Sequence, residues 1–249
     1  MNARSAPYLA HCCAIPQAID LSLATPIINP FLFFKSILLI SLYIILLLRI
    51  TKMLEKNKEP FLLFDEWFNL AKQKELNDPN AMNLATISED NKPHSRMVLL
   101  KDHSADGFTF YTNTESNKGI QISQNNNVAL CFHWKSLQRQ IRIEGSVKKV
   151  DDSTADSYFN SRGYMSRIGA ISSKQSSVLN SRSELVALIE DFKKKYPDEN
   201  NVPRPKYWTG FVVTPIKIEF WQDMPHRIHD RLVFEKLDNS TWKSQKLFP

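Results

Sequence analysis

The chain has 249 residues, of which 43% are hydrophobic and 23% charged, as in an ordinary globular protein and unlike a disordered one. Half of its net charge of +6 falls within residues 1–52, so the remainder carries too little positive charge for a nucleic-acid surface. The first of its six glycines is Gly107, and no GxGxxG or GxxxxGK[ST] sequence occurs. Rossmann and P-loop nucleotide sites are therefore excluded by motif.

The number and spacing of the cysteines indicate whether the protein works in a reducing or an oxidising compartment. Cys12, Cys13 and Cys131 form neither a CxxC pair nor an even framework. This pattern argues against a disulfide scaffold and against a zinc or other metal site. We therefore expect a reducing compartment, and a cytoplasmic location.

The first 52 residues differ in character from the rest. Residues 31–48 are an apolar run, interrupted by Lys35 and two serines, at the lower length limit for a membrane-spanning helix. Basic residues follow it, so a genuine anchor would place the large C-terminal part of the chain in the cytoplasm. The alternative, which we favour, is that translation begins at Met53. We accordingly divide the chain into an N-terminal extension, residues 1–52, and one domain, residues 53–249.

The domain begins with helical periodicity and continues with strand periodicity. Apolar residues spaced along one face predict a helix from Pro60 to Glu75, with the proline in its first turn. Short alternating runs separated by turn residues then predict antiparallel hairpins. The predicted strands are Ala81–Ile87, His94–Lys101, Phe108–Thr112, Val128–Trp134 and Gln138–Val150.

The second half of the domain predicts two further helices, Ser153–Ser161 and Ser183–Tyr196. Four more strands are predicted at Thr209–Thr214, Ile216–Gln222, Arg231–Lys236 and Thr241–Leu247. The fold class is therefore β-rich α+β, most simply a small barrel with helices packed outside it.

Residues 226–231, His-Arg-Ile-His-Asp-Arg, are rich in cationic side chains. If the segment is extended, Arg227, His229 and Arg231 share one face and repel each other unless an anion lies between them. Trp221 upstream offers a flat surface for a ring. The alternative is a solvated basic edge strand that blocks sheet aggregation.

A second candidate group has helical spacing. Tyr158, Arg162 and Ser166 recur every four residues, so one helix would present two hydroxyls and a guanidinium on one stripe suited to a phosphate. The alternative is a polar helix face without a ligand, and Gly163 weakens the helix.

The cations Arg96 and Lys101 lie five residues apart, which in a strand sends them to opposite faces. Either they serve two anions, or the main chain between them lines the ligand. The hydroxyl-rich loop Ser172–Ser177 is more typical of a linker than of a phosphate site. No Ser/His/Asp or Cys/His nucleophile set is present.

Seven segments together resemble the pyridoxamine 5'-phosphate oxidase family, FMN enzymes that make pyridoxal 5'-phosphate. They are DPNAMNLATIS at 78–88, SRMVLLK at 95–101, FYTN at 110–113, RQIRIEG at 139–145, YFNSR at 158–162, SKQSS at 173–177, and IEFWQ with HRIHDR within 218–231. The resemblance runs from about residue 60 to residue 249. It implies an FMN-binding split β-barrel with flanking helices, forming a homodimer with FMN in clefts at the interface.

The resemblance also implies the site residues. Those expected to bind FMN are Arg96, Met97, Val98, Leu99, Leu100, Lys101, Tyr111, Thr112, Lys118, Gln140, Gln175, Ser176, Trp221 and Arg231. Those expected to bind substrate are Lys101, Tyr158, Arg162, Ser166, Arg227 and His229. Arg227 and His229 are expected nearest the reacting carbon, as the catalytic residues.

The implied reaction is oxidation of pyridoxamine 5'-phosphate or pyridoxine 5'-phosphate by O2, in vitamin B6 metabolism, with release of hydrogen peroxide. The rival hypotheses are a non-catalytic split barrel that binds pyridoxal 5'-phosphate or FMN, and a flavin reductase. Two departures from the family are expected to matter. Asn117 stands where the family usually has arginine, which would weaken binding of the cofactor phosphate, and the family's N-terminal arm has no clear match before Pro60.

Overall fold

A computed structural model describes residues 35, 37–41, 59–238 and 241–249 of the chain. The chain divides into two compact units, Met1–Thr51 and Lys52–Pro249. In the first unit, residues 35 and 37–41 are helical, and the rest of the predicted apolar run lies outside the described residues. Among the helices of the described part, none has the length and apolar character needed to cross a membrane. All elements below belong to the second unit.

Helix α1, Pro60–Lys74, fills the interior of the curved sheet. Its buried face includes Phe64 and Trp67, as its apolar spacing predicts. The Phe64 ring lies 5.4 Å from that of Phe132 and 4.9 Å from that of Phe108, both edge-on. Burial of these aromatic side chains joins the helix to the apolar core of the sheet.

Nine antiparallel strands form one sheet in the order β2-β1-β5-β6-β7-β4-β3, with β8 beside β7 and β9 beside β8. Strict alternation of buried residues in β1 shows why the period-two pattern predicted strands. The strands are β1 (Ala81–Ile87), β2 (Pro93–Leu99), β3 (Asp102–Ser104), β4 (Gly107–Asn113), β5 (Asn127–Trp134), β6 (Arg139–Lys149), β7 (Trp208–Gln222), β8 (Asp230–Lys236) and β9 (Trp242–Lys246).

Strand β7 pairs with different strands along its length. Its first part pairs with β4 and its last part, Lys217–Gln222, pairs with β8, while β6 pairs along its other side. The prediction of two separate strands here is wrong, because the extended backbone continues through Pro215. The register with β6 shifts at that point, between Glu144 and Gly145, and the shift accommodates a residue without an N–H donor.

Four further helices pack outside the sheet: α2 (Asn117–Gln124), α3 (Asp152–Ser161), α4 (Tyr164–Ser172) and α5 (Arg182–Lys195). Only α3 and α5 were predicted. Helices α2 and α4 each contain an interior glycine, Gly119 and Gly169, which lowers local helix propensity and hides them from a periodicity search. A second apolar cluster, around Phe159, Ile168 and Trp208, lies beneath these helices.

No single helix carries Tyr158, Arg162 and Ser166, the arrangement that their spacing would require for one stripe, and the break falls beside Gly163. Helix α3 ends at Ser161, Arg162 has extended backbone angles (φ −77°, ψ 145°), and α4 starts at Tyr164. The N–H of Arg162 donates to Phe159 O at 3.2 Å, which closes the last turn of α3. The three side chains therefore come from two helices and the break between them.

Residues 226–231 do not have the extended conformation under which Arg227, His229 and Arg231 would share one face. Pro225–Arg227 form a 3₁₀ turn in which His226 and Arg227 have φ values of 60° and 63°. Positive φ at two successive residues turns the chain between the antiparallel strands β7 and β8. Strand β8 begins only at Asp230, so Arg227 and His229 lie in the connection and do not share a strand face with Arg231.

Candidate active site

One cavity of about 470 Å³ gathers residues predicted for cofactor and for substrate. It lies between β2, β4 and the break that separates α3 from α4. Its lining comprises Met97, Val98, Leu99, Lys101, Tyr111, Thr112, Lys118, Tyr158, Arg162, Gly163, Ser166, Gln175 and Trp208. We call it the cationic cavity, after its lysine and arginine side chains.

Lys118 brings a buried charge to this cavity. Only 9% of the residue is exposed, and its Nζ donates to Gln175 Oε1 at 2.9 Å and to Ser116 Oγ at 3.2 Å. Thr112 Oγ1 donates to the same Gln175 oxygen at 3.3 Å. Burial lowers the pKa of Lys118, and the nearby charge of Arg96 lowers that pKa further. The ammonium group therefore has neutral oxygens as partners and a second cation near it.

Arg96 is held in the same way. Its guanidinium donates to Thr86 Oγ1 at 2.6 Å, to Leu84 O at 3.1 Å and to Gln121 Oε1 at 2.9 Å, all neutral acceptors. Burial lowers its pKa. The motifs did not point to Thr86 or Gln121, and Gln121 faces Arg96 only because α2 forms.

Among the described residues, no carboxylate forms an ion pair with Arg96 or with Lys118. Two partly desolvated cations without a counter-charge are unfavourable unless an anion binds between or beside them. The donor set, an arginine fork, an ammonium and neutral amide and hydroxyl groups, fits a phosphate. The residues present therefore fit the phosphate of FMN.

Arg162 supplies a further donor for an anion. Its Nη1 is buried and has no hydrogen-bond partner among the described residues, and burial lowers its pKa. Such an unsatisfied donor costs about 1–3 kcal/mol, more when charged. The guanidinium carbon of Arg162 lies 4.9 Å from the ring of Trp208. The motifs did not identify Trp208 as a residue of the site.

Stacked rings form the adjoining wall. The ring centroids of Tyr111 and Tyr158 lie 3.9 Å apart, and that of Trp208 lies 5.3 Å from Tyr111. Burial raises the pKa of Tyr111, as do the neighbouring Tyr158 and two aspartates. The Tyr111 hydroxyl therefore stays protonated at neutral pH and can donate a hydrogen bond.

Arg204 fixes α3 beside this wall. Its Nε donates to Asp156 Oδ1 at 2.5 Å, its Nη2 to Asp152 Oδ1 at 2.7 Å and its Nη1 to Trp208 O at 2.8 Å. The Asp156 and Asp152 carboxylates raise the pKa of Arg204 against the opposing effect of burial. The start of β7 and the helix that carries Tyr158 are thereby held together.

Three other predicted residues lie beside the cavity but do not line it. The Leu100 side chain is buried in the core, and its backbone N–H and C=O both bond to Asn80. Ser176 is exposed and its Oγ accepts from the backbone N–H of Asn117 at 3.2 Å. The Arg96 guanidinium lies beside the cavity and donates to Gln121 Oε1.

The remaining predicted residues form a second group, at the other end of β7. Trp221 is the register partner of Gln140 on β6 and of Arg231 on β8. The His229 ring lies 4.6 Å from that of Trp221, and Arg227 is exposed in the adjoining turn. We call Gln140, Trp221, Arg227, His229 and Arg231 the turn cluster.

Two carboxylates compensate the turn cluster. Arg231 Nε donates to Glu219 Oε1 at 2.7 Å, and this contact raises the pKa of Arg231. Glu219, only 5% exposed, also pairs with Arg142 at 3.3 Å. His229 Nδ1 lies 2.9 Å from Asp223 Oδ1. The predicted repulsion among three cations is thus relieved by residues that spacing alone did not identify.

The cationic cavity and the turn cluster are separate within one chain. Trp208 belongs to the first and Trp221 to the second, thirteen residues further along β7. At a rise of ~3.3 Å per residue they are about 40 Å apart along the strand. No hydrogen bond, ion pair, ring contact or cavity of the described residues joins the two groups.

Comparison with known sequences identifies both halves of the domain. The family model described as pyridoxamine 5'-phosphate oxidase matches residues 70–196. The model described as the pyridoxine 5'-phosphate oxidase C-terminal dimerisation region matches residues 208–249, which include most of the turn cluster. These matches support the predicted homodimer.

Two bacterial relatives match over most of their length. The pyridoxine/pyridoxamine 5'-phosphate oxidase of Pelagibacter ubique is 53% identical over 191 residues, covering 77% of this chain and 92% of that protein. The protein of the same name from Erythrobacter litoralis is 52% identical over 194 residues, covering 77% and 91% respectively.

Solved structures show the same fold. PhzG from Burkholderia lata, in complex with tetrahydrophenazine-1-carboxylic acid, is 27% identical with a TM-score of 0.73, covering 78% of this chain and 94% of that one. A pyridoxamine 5'-phosphate oxidase-related, FMN binding protein from Nostoc punctiforme superposes with a TM-score of 0.64 at 16% identity, covering 78% and 100%. The predicted split barrel is confirmed, and the chain belongs to the pyridoxine/pyridoxamine 5'-phosphate oxidase family.

Proposed function

We propose that this chain oxidises pyridoxamine 5'-phosphate and pyridoxine 5'-phosphate to pyridoxal 5'-phosphate. The electrons pass to O2, hydrogen peroxide is released, and the amine substrate also yields ammonia. The observation that carries the proposal is the cationic cavity, where Arg162 and Lys118, with Arg96 beside Lys118, form no ion pair with any described carboxylate. Such a site suits two phosphorylated ligands rather than one neutral substrate.

Family membership confirms that the chain is an oxidoreductase with FMN as its cofactor. When bound, FMN supplies a flavin ring that takes two electrons from the substrate and passes them to O2. Arg96 and Lys118 would neutralise its phosphate, and Gln175 and Thr112 would add neutral hydrogen bonds. The chain's own task is to bind, orient and compensate charge.

The substrate phosphate is assigned to Arg162, Tyr158 and Ser166. Arg162 offers the buried Nη1 that no described residue satisfies, and the two hydroxyls line the same cavity. A guanidinium bonds phosphate oxygens in bidentate fashion, which fixes the orientation of the ligand as well as holding it. Binding energy from the phosphate is thereby converted into alignment of the reacting carbon.

Arg227 and His229 are assigned to the reacting end of the substrate. A guanidinium stays protonated, so Arg227 orients the substrate and stabilises negative charge and does not act as a base. His229 Nε2 accepts or relays the proton that leaves the substrate, because an imidazole changes protonation state near neutral pH. The tilted Trp221 ring, 4.6 Å from His229, holds the imidazole in place.

Each complete site would combine the cationic cavity of one subunit with the turn cluster of the other. Support comes from the separation of the two groups along β7, and from the match of residues 208–249 to a dimerisation region. In a symmetric dimer the same surface serves both partners, so one interface would create two sites.

The proposed location is the cytoplasm. The cysteine usage supports it, and Cys131, the cysteine within the described residues, is a free thiol. Fractionation of cells that express the full chain tests the assignment, because a membrane-anchored enzyme would sediment with the membranes and a cytoplasmic one would not.

The direct test is an oxidase assay on the purified full chain. We expect a yellow protein that consumes O2 and produces peroxide with pyridoxamine 5'-phosphate or pyridoxine 5'-phosphate. A preparation that retains FMN but yields no peroxide with either substrate would instead support a non-catalytic binding protein. The unphosphorylated substrate pyridoxamine is the control, since the Arg162 site has nothing to bind in it.

A further inference from the structure

We infer that Asp223 is a positioning residue that fixes which nitrogen of His229 carries the proton. It keeps the proton on Nδ1, so that the lone pair of Nε2 faces outward as the proton acceptor. The inference rests on the proposed role of His229 and adds the residue that would make this role possible.

The geometry restricts the imidazole from two directions. Asp223 lies just after β7 and His229 just before β8, so the turn between these strands brings them together. Asp223 Oδ1 is 2.9 Å from His229 Nδ1, and the Trp221 ring packs against the imidazole. The His229 side chain is 19% exposed and that of Asp223 is 40% exposed, so the carboxylate stays partly hydrated.

Two groups compete for the same nitrogen. The backbone N–H of Met224 donates to His229 Nδ1 at 3.3 Å, a hydrogen bond that requires Nδ1 to carry no proton. Asp223 Oδ1 lies closer to Nδ1, at 2.9 Å, an ion-pair contact that is favourable only if Nδ1 carries a proton, because an unprotonated nitrogen would face the carboxylate with its lone pair. A hydrogen bond to a carboxylate is roughly twice as strong as a neutral one, so the Asp223 contact prevails. Nε2 makes no hydrogen bond to any described residue and remains available.

The other charged groups nearby have different partners. Asp230 pairs with Lys246 at 3.5 Å, and Arg231 pairs with Glu219 at 2.7 Å. His226 and Arg227 are exposed in the 3₁₀ turn. Among the described residues, Asp223 is the carboxylate in contact with the imidazole.

Asp223→Asn reverses the balance at Nδ1. An amide side chain can donate to Nδ1, as the Met224 N–H does, so both would favour an unprotonated Nδ1 and a proton on Nε2. We expect the neutral ring of His229 to change from the Nδ1–H to the Nε2–H tautomer. The readout is the pair of ring ¹⁵N shifts in histidine-labelled, FMN-loaded full chain, assigned with His229→Asn.

Turnover should fall with this tautomer change. We expect kcat to drop about 10- to 100-fold, less than the ~10²- to 10⁴-fold that a positioned general base contributes, because His229 itself remains, while flavin content and KM stay close to wild type. Asp223→Glu keeps a carboxylate and should restore the Nδ1–H tautomer and part of kcat. The matched control is Asp65→Asn, which alters the other described histidine–aspartate pair, with His103 Nε2 at 2.5 Å. That pair joins α1 to β3 outside the site, so kcat should not change.

Two results would overturn the inference: an Nε2–H tautomer in the wild-type holoenzyme, or an unchanged tautomer in Asp223→Asn. A tautomer change with undiminished kcat would support the positioning by Asp223 and refute the proposed proton-transfer role of His229. Retained flavin and an unchanged melting temperature show that the variant is folded.

Discussion

The Lys118 ammonium is buried among the neutral oxygens of Gln175 and Ser116, and burial and Arg96 lower its pKa below the ordinary 10.5. An unfolded chain therefore binds a proton at Lys118 more readily than the folded apoprotein does. Linkage then requires that the free energy of unfolding of the apoprotein rise with pH between the lowered folded pKa and the unfolded value. Below that pH range, the full free-energy cost of burying the charged Lys118 side chain is present.

Lys118→Met tests this cost. Removing a desolvated cation should raise the melting temperature of the apoprotein by a few degrees, which corresponds to about 1 kcal/mol in a domain of this size. The same change should weaken FMN binding, because the phosphate loses a charged partner. Calorimetry of the flavin-free protein and a flavin fluorescence titration measure the two effects. A lower melting temperature together with unchanged flavin affinity would contradict this account of Lys118.

Arg162→Ala separates substrate binding from cofactor binding. Loss of a charged hydrogen bond to phosphate should raise KM for pyridoxamine 5'-phosphate about 10- to 100-fold, with flavin content unchanged. Steady-state kinetics and the flavin-to-protein absorbance ratio measure these outcomes, and Arg162→Lys should recover part of the loss. If the variant lost its flavin instead, Arg162 would have been assigned to the wrong phosphate.

At the scale of elements, strands were more predictable than helices. Strand β1 has the predicted bounds because its buried and partly exposed residues alternate strictly. Helix α2 was missed although Ser116 caps it, accepting a hydrogen bond from the Gly119 N–H. A cap and eight residues give too weak a periodic signal. The turn at His226 was missed because its positive φ arises from the β7–β8 connection and not from a turn-forming residue at that position.

Substitutions at two glycines test how the close approach of Gly210 supports the stacked rings of Tyr111 and Tyr158. A Cβ at Gly210 would lie 2.6 Å from Tyr111 Cε1, whereas one at Gly163 would meet nothing within 4 Å. Gly210→Ala should therefore displace the Tyr111 ring from Tyr158, raise KM and destabilise the fold by about 1–3 kcal/mol. Gly163→Ala, whose φ of −56° suits alanine, should cost less than about 1 kcal/mol, the difference between glycine and alanine as the N-cap of α4. Thermal melts and KM measure both, and equal effects of the two changes would argue against this role of Gly210.

At the scale of the whole molecule, the motifs identified most of the residues of both groups but could not show how they are distributed. Tyr158, Arg162 and Ser166 line one cavity although they do not lie on one helix. Glu219 and Asp223 were overlooked, since a carboxylate acts here through its partner in space and not through sequence spacing. Which subunit completes which site depends on symmetry, which one chain's periodicity does not encode.

Mixing two impaired variants, assayed at a substrate concentration far below the raised KM of Arg162→Ala, tests the shared site. If each site combines Arg162 of one subunit with Arg227 of the other, a dimer of one Arg162→Ala chain and one Arg227→Ala chain contains one intact site. Random reassociation of equal amounts should then restore about one quarter of wild-type activity. Sites built within single chains would give no recovery. Activity after co-refolding, compared with each variant refolded alone, is the measurement.

Lys118 and Arg96 lack a negatively charged partner among the described residues until the cofactor phosphate binds, and this has a consequence in the cell. A newly made chain without flavin carries an internal repulsion that the bound phosphate removes, so flavin supply shifts the balance between folded and unfolded chains. Unfolded chains are substrates for quality-control proteases. We expect riboflavin starvation to shorten the lifetime of the polypeptide itself, so that abundance as well as catalysis would follow vitamin B2 nutrition.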